Sequence, residues 1–135
     1  MAVAESLTGG RVASELAAAP HASSWFRGGV VAYANEVKYG VLGVPVGPVI
    51  SATCAQAMAA GVARLTAADY AVAVTGVGGP DEQEGQPVGT VFIAVYGPAG
   101  NRVKHYRLSG EPEEVVAQAA AHALHLLNRR AGDDA

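Results

Sequence analysis

Short apolar runs recur along the chain and predict the strands of a sheet. Three of them are continuous or nearly so, as in strands that are buried on both faces, and they lie at residues 2–5, 28–33 and 69–77. Two more runs follow, "TVFIAVYG" and "RVKHYRLS", and the turn "GPAGN" joins them. This arrangement predicts a β-hairpin at the end of the sheet.

The segments between these runs have the spacing and the end signals of helices. Val12 and Leu16 lie four residues apart, on one face of a helix predicted from Thr8 to Ala18. The other predicted helices are a short one in "NEVKYGVLG" that ends near Gly43, one capped by Ser51 that reaches about Leu65, and a final one begun by Ser109 and "EPEE". The acidic first turn of the last helix complements the helix dipole.

Alternating strands and helices are typical of a sheet that is covered by helices on both faces. We therefore predict an α/β fold, a three-layer α/β/α single domain with a mixed, mostly parallel sheet, over residues 1–130. Residues 131–135, "AGDDA", are expected to form a frayed tail. Loop 78–88 is rich in Gly, Pro and acidic residues, and it is either a lid over a ligand or an ordinary connection between strands.

Charge and composition exclude several classes of protein. The formal net charge is −3 at pH 7, so the chain lacks the basic face expected of a nucleic-acid binder. No apolar run reaches the ~20 residues of a membrane span, and no basic segment precedes an apolar run as in a signal peptide. Cys54 is the only cysteine, which excludes an intramolecular disulfide and fits a reducing compartment. We expect a cytoplasmic protein that binds neither nucleic acid nor membrane.

Polar residues follow three of the predicted strands, where ligands bind in open α/β sheets. Ser6 follows the first strand, Tyr33 ends the second, and Thr75 and Gly76 end the third. If these strands are parallel neighbours, the three sets of residues meet in one crevice. A serine needs a nearby base to act as a nucleophile at neutral pH, and no Ser-His-Asp set is apparent. Lys38 is the better candidate, since partial burial can lower the pKa of a lysine toward neutrality.

The same residues also have plainer interpretations. Ser6 could simply cap a helix, Tyr33 could lie at the edge of the core, and Lys38 could be a solvated residue of a short helix. His122 and His125 are three residues apart, as in a metal-binding pair, but no third ligand is apparent. We therefore expect no metal and no other cofactor.

Thr8, Gly9 and Gly10 lead into the first predicted helix, whose first amides have no partner within the helix. Such amides can bind a phosphate or stabilise an oxyanion, although turn formation explains "TGG" equally well. The later glycine-rich stretch "VTGVGGP" lacks the GK[ST] ending of a P-loop and the GxGxxG spacing of a dinucleotide fold.

Three longer segments, taken together and in order, resemble the carboxy-terminal domain of the competence/damage-inducible CinA family. They are "AESLTGG", "SSWFRGGVVAYANEVKYGVLGV" and "VAVTGVGGPDEQEGQPVGTVFIAV", and the similarity extends from about residue 3 to about residue 128. Stand-alone members of that family are nicotinamide-mononucleotide amidohydrolases. The resemblance thus implies a cytoplasmic hydrolase of pyridine nucleotide salvage, which converts nicotinamide mononucleotide to nicotinate mononucleotide and ammonia without a metal.

The resemblance also implies roles for individual residues. The family's nucleophilic serine falls on Ser6, and its tyrosine and lysine partners fall on Tyr33 and Lys38. From these roles we hypothesise a reaction in two steps, attack of the serine on the carboxamide and then hydrolysis of the acyl-enzyme by water, with amides around residues 8–10 holding the oxyanion. The substrate-binding positions fall on Thr8, Gly9, Gly10, Asn35, Thr75 and Gly76.

Some features depart from the family pattern or extend it. Leu7 stands where relatives often have Cys, and its side chain is expected to point away from the chemistry. Gly78 replaces the Ala of the pattern "TGxAGP" and makes that loop more flexible.

Arg11 and Arg27 are the candidates to bind the phosphate of the substrate. Relatives usually have a helix before the first strand, so either the start is truncated or another subunit covers that face, and we expect a homo-oligomer.

Two other functions stay open at this point. A non-catalytic nucleotide-binding module would keep the fold without useful turnover, although it would not need the Ser, Tyr and Lys that are all present here. An amidohydrolase of another small carboxamide would use the same three residues. The sequence does not separate that enzyme from one that acts on nicotinamide mononucleotide.

Overall fold

The computed structural model describes residues 1–134 and contains five strands and five helices in that range. The strands are β1 (Ala2–Glu5), β2 (Gly28–Val31), β3 (Ala71–Gly76), β4 (Thr90–Gly97) and β5 (Gly100–Arg107). The helices are α1 (Arg11–Ala17), α2 (Ala22–Trp25), α3 (Asn35–Gly40), α4 (Ala52–Thr66) and α5 (Pro112–Asp133).

The five strands form one mixed sheet in the order β2-β1-β3-β4-β5. Strand β1 is parallel to both of its neighbours, with Glu5 opposite Val31 of β2 and Val74 of β3. Strand β4 alone runs in the opposite direction, antiparallel to β3 and β5. The predicted α/β fold, with a mixed sheet whose strands mostly run one way, is therefore confirmed.

Helices cover both faces of the sheet and make the three predicted layers. Ala2 and Ala4 of β1 face a core that contains the buried side of α4, including Met58. Val3, which points to the other face, lies in a second core with α1 and α5, to which α5 contributes Leu127. The small residues of β1 and β3 allow these helices to pack closely on the sheet.

Several predicted element boundaries are wrong. Helix α1 begins at Arg11 rather than Thr8, because Gly9 and Gly10 adopt left-handed φ angles of 57° and 104° and form a turn. Strand β2 ends at Val31 and is not continuously buried, because it lies at the edge of the sheet and leaves Val31 46% exposed. Helix α3 ends at Gly40, short of Gly43.

The last helix also differs from the prediction at both ends. Glu111, not Ser109, is its N-cap, and a capping box joins Glu111 to Glu114 while Pro112 takes the first helical position. At the other end α5 continues to Asp133, so residues 131–133 are helical where a frayed tail was expected. Ala135 lies outside the described residues.

Glu5 connects the end of β1 to the start of α1. Its side chain is fully buried, and its two carboxylate oxygens accept hydrogen bonds from the backbone N–H groups of Val12 (3.0 Å) and Ala13 (2.9 Å). Gly10, at the N-cap position of α1, has no side chain that could do this. Glu5 therefore caps the helix from the strand and fixes the turn that contains Ser6.

We predict that Glu5→Ala lowers the free energy of unfolding by about 3 kcal/mol, because it leaves two buried amides without an acceptor. Urea denaturation monitored by circular dichroism measures the change. Glu15→Ala, which removes an exposed acid of α1, is the matched control and should cost less than about 0.5 kcal/mol. Equal losses in the two variants would contradict the capping role of Glu5.

Candidate active site

A cavity of about 700 Å³ lies at the carboxyl ends of β1, β2 and β3. Ser6 after β1, Tyr33 after β2 and Gly76 at the end of β3 all line it. The three polar strand ends therefore meet in one crevice, as predicted, because β1 lies between its two parallel neighbours. The start of α5 and the loop that follows β3 complete the wall.

Ser6 lies in the turn between β1 and α1 and is 7% exposed. Its carbonyl oxygen accepts a hydrogen bond from the N–H of Gly9 at 3.1 Å, which closes the turn and fixes the serine backbone. Within residues 1–134 the Ser6 hydroxyl has no hydrogen-bond partner, while the residue lines the cavity. This hydroxyl is therefore available to a ligand in the cavity.

Lys38 is buried in the same cavity wall, with 3% of its surface exposed. Its Nζ donates a hydrogen bond to Oδ1 of Asn35, at the long distance of 3.4 Å, from the preceding turn of α3. Burial lowers the pKa of Lys38 below the ordinary lysine value, and the nearby Cys54 and Glu84 oppose that effect without cancelling it. The structure thus contains an amine that loses its proton more readily than a solvated lysine does.

Tyr33 lies at the mouth of the cavity with 72% of its surface exposed. Its hydroxyl is not hydrogen-bonded to any residue of the described range, Lys38 included. Asn35, two residues later, begins α3 and lines the cavity, where its amide oxygen holds Lys38. Of the three predicted catalytic residues, two are therefore buried in the wall and the third is at the entrance.

Four of the predicted substrate-binding residues do not line the cavity. Thr75 is fully buried, and its hydroxyl donates to the carbonyl oxygen of Val49 at 2.7 Å, which holds residues 49 and 50 against the end of β3. Thr8, Gly9 and Gly10 form the turn behind Ser6, and the Thr8 hydroxyl is buried without a partner among the described residues. These residues position the wall, whereas Asn35 and Gly76 belong to it.

The two arginines proposed to bind the substrate phosphate lie in different parts of the fold. Arg11, the first residue of α1, lines the cavity. Arg27 lies at the opposite end of the sheet, where its backbone N–H donates to the carbonyl of Met1 and its guanidinium donates to the carbonyl of Thr66. The prediction that Arg27 is a phosphate ligand is therefore wrong.

Sequence reasoning missed several parts of the wall. Leu7 lines the cavity and also packs against the core under α1 and α5. Val49 and Ile50 also line it, and both of their N–H groups donate to the carboxylate of Glu84, at 2.8 to 3.1 Å. The start of α5 contributes Glu113 and two apolar residues, Pro112 and Val116. No local pattern marks these residues, because each reaches the site through tertiary packing.

Two further expectations concern metals and membranes. Among residues 1–134, no group of three or more His, Cys, Asp or Glu side chains is placed to hold a metal ion. The ring of His122 stacks on that of Tyr106, with centroids 4.3 Å apart. None of the helices that the structure describes has the length and apolar character needed to cross a membrane.

Known proteins are similar to this chain in sequence over almost its whole length. The sequence profile described as "CinA C-terminal domain" matches residues 1–131. A CinA-like protein of Frankia casuarinae is 46% identical over 134 residues, which are 96% of this chain and 31% of that protein. A CinA-like protein of Geobacter sulfurreducens is 42% identical over 136 residues, 96% of this chain and 33% of that protein. The chain thus spans about a third of the length of these curated relatives.

Solved structures agree with the sequence comparisons. Competence damage-inducible protein A of Klebsiella pneumoniae superposes with a TM-score of 0.91 at 36% identity, over 97% of this chain and 85% of that one. A competence-damaged protein (CinA) superfamily protein of Escherichia coli gives 0.89 at 34% identity, over 92% and 76% of the two chains. The chain belongs to the CinA C-terminal domain family, as its motifs predict.

The lowered pKa of Lys38 predicts how stability depends on pH. Between the folded pKa and the higher unfolded value, the unfolded state binds more protons, so Lys38 makes the protein more stable as pH rises through that interval. Any stability advantage of Lys38→Met over the parent should therefore shrink between about pH 7 and about pH 9.5. Urea denaturation at both pH values measures it. Lys104→Met, at the chain's other and exposed lysine, should show no such change, and a parallel change in both variants would contradict the assignment.

Proposed function

We propose that this member of the CinA C-terminal domain family hydrolyses the carboxamide of nicotinamide mononucleotide to nicotinate mononucleotide and ammonia. One observation carries the proposal: Ser6 and Lys38 are buried in the wall of one cavity, and the pKa of Lys38 is lowered by that burial. A hydroxyl and a deprotonatable amine in one site are the parts that nucleophilic amide hydrolysis needs when no histidine is available. The resemblance of the catalytic motifs to those of mononucleotide amidohydrolases supports this substrate.

The first step forms a tetrahedral adduct on Ser6, which becomes an ester only when the carbon–nitrogen bond breaks. The neutral amine of Lys38 accepts the proton of Ser6 while Oγ forms a bond to the carboxamide carbon, whose oxygen becomes an anion. Amides around residues 8–10 are less suitable oxyanion donors than expected, because Gly9 donates to Ser6 and all three residues lie outside the cavity wall. Leu7 follows the nucleophile directly and does line the wall, so its N–H is the better donor.

The second step breaks the carbon–nitrogen bond and then the ester. The oxyanion collapses, the nitrogen leaves with the proton returned from Lys38, and ammonia departs. A water molecule then attacks the ester carbon, giving its proton to Lys38, and Ser6 regains a proton as the carboxylate product forms. Tyr33, at the cavity mouth, is assigned the relay of protons between Lys38 and the leaving nitrogen.

Arg11 holds the phosphate of the substrate in this proposal. It is the only arginine among the described residues that line the cavity, and its Nε lies no closer than 4.0 Å to the carboxylate of Glu15. Such an exposed pair contributes little, so the guanidinium is available to an anion. The reaction would take place in the cytoplasm, where Cys54 beside Lys38 stays reduced.

We predict that purified protein releases ammonia from nicotinamide mononucleotide and that Ser6→Ala lowers kcat by at least about a thousandfold. Lys38→Arg should lower kcat similarly, because a guanidinium cannot accept the serine proton at accessible pH. In the parent, kcat should rise with pH through a pKa below that of an ordinary lysine. A coupled ammonia assay measures all three.

Ser14→Ala and Lys104→Arg are the matched controls, since they change exposed residues outside the cavity and should keep the parental rate. Turnover that survives in Ser6→Ala would exclude the serine as nucleophile. Binding of the mononucleotide with no ammonia release by the parent would instead favour the non-catalytic nucleotide-binding module. Release of ammonia only from other small carboxamides would favour a different substrate.

A further inference from the structure

Three carboxylates line the cavity opposite very few positive charges. Asp81 and Glu82 belong to the loop after β3, and Glu113 belongs to the first turn of α5. All three residues are exposed, and within residues 1–134 none of them forms an ion pair. We refer to these three residues as the acidic wall.

The acidic wall is held in place from two sides. Beyond it, Glu84 is tied to the N–H groups of Val49 and Ile50. Before it, the backbone at Gly79 comes close to Pro112 at the start of α5, where an added Cβ would meet the proline ring at 3.4 Å. The three carboxylates are therefore presented to the cavity by a braced loop and by a helix of 22 residues.

The same cavity has an independent sign of a polar ligand. Ser6 is more than nine-tenths buried, lines the cavity, and has no hydrogen-bond partner for its hydroxyl among the described residues. Lys38, which is buried more deeply, has only the long contact to Asn35. Such groups are normally hydrogen-bonded, so a bound molecule is the natural partner for both.

The balance of charged groups in the cavity indicates which charge the bound molecule carries. Arg11 and Lys38 are the two lining groups that can carry a positive charge among the described residues, against the three carboxylates of the acidic wall. Because the three carboxylates outnumber the positive groups, the electrostatic potential at the cavity mouth favours positively charged ligand groups. A negatively charged group is favoured only beside Arg11 and Lys38.

We propose that the acidic wall of Asp81, Glu82 and Glu113 recognises the positive charge of the substrate ring and so selects the pyridinium form over a neutral ring of the same shape. This inference rests on the proposed function. Hydrolysis adds water, removes ammonia and converts the neutral carboxamide to a carboxylate, so the product carries one more negative charge than the substrate. The acidic wall attracts the positively charged ring, which substrate and product share, and repels the new carboxylate, so the product is held less tightly than the substrate.

Equilibrium binding to the Ser6→Ala protein tests this recognition without turnover. Nicotinamide mononucleotide and its 1,4-dihydro form share the ribose, the phosphate and the carboxamide, but only the former has a charged ring. Calorimetry should show that the Ser6→Ala protein binds the charged form about tenfold more tightly. Adding Asp81→Asn, Glu82→Gln and Glu113→Gln should reduce that ratio to about one and should tighten binding of nicotinate mononucleotide.

A matched control removes three exposed acids that do not line the cavity, through Glu36→Gln, Asp69→Asn and Asp133→Asn, and should keep the tenfold ratio. A ratio that stays unchanged when the acidic wall is neutralised, or that falls equally in the control, would overturn the proposal. A parent that shows the charge preference but releases no ammonia would support the acidic wall and refute the proposed hydrolysis. If neither mononucleotide binds, both proposals fail.

Discussion

The hydrogen bonds from the amides of Val12 and Ala13 to the buried carboxylate of Glu5 fix the position of Ser6, the proposed nucleophile. They join the central strand to the first helix across a turn that has left-handed glycines and no capping side chain of its own. Because Ser6 is the next residue, its backbone has little freedom. The buried carboxylate therefore has a structural role. It accepts hydrogen bonds from helix amides that could otherwise have bound an anion.

The second constraint is the burial of Lys38. Burying an ammonium group away from water costs free energy. This cost lowers the pKa of Lys38, so the neutral amine forms at a lower pH than in a solvated lysine. Cys54 and Glu84 lie near enough to oppose the effect, while Glu84 is itself committed to Val49 and Ile50. The same carboxylate thus braces the cavity wall and limits how far the pKa of Lys38 falls. In the proposed reaction this balance sets the pH at which Lys38 can accept a proton.

Much of this architecture could be predicted because it depends on local pattern. The apolar runs give β1 and β3, Ser51 caps α4 through a hydrogen bond from Cys54, and the turn before Asn101 joins β4 to β5. The family follows from the motifs around Ser6 and Lys38. What could not be predicted depends on tertiary contacts: Thr75 holds a loop instead of a ligand, and the start of α5 enters the site from far along the chain.

Capture of the acyl group by hydroxylamine is the most direct test of the proposal that Ser6 forms a covalent ester with the substrate. If Ser6 forms an ester with the substrate, added hydroxylamine competes with water for that ester after ammonia has left. The expected result is a hydroxamate of the mononucleotide that increases with hydroxylamine while ammonia release continues at least as fast. Steady ammonia release with only carboxylate formed, at every hydroxylamine concentration, would contradict a covalent route through Ser6.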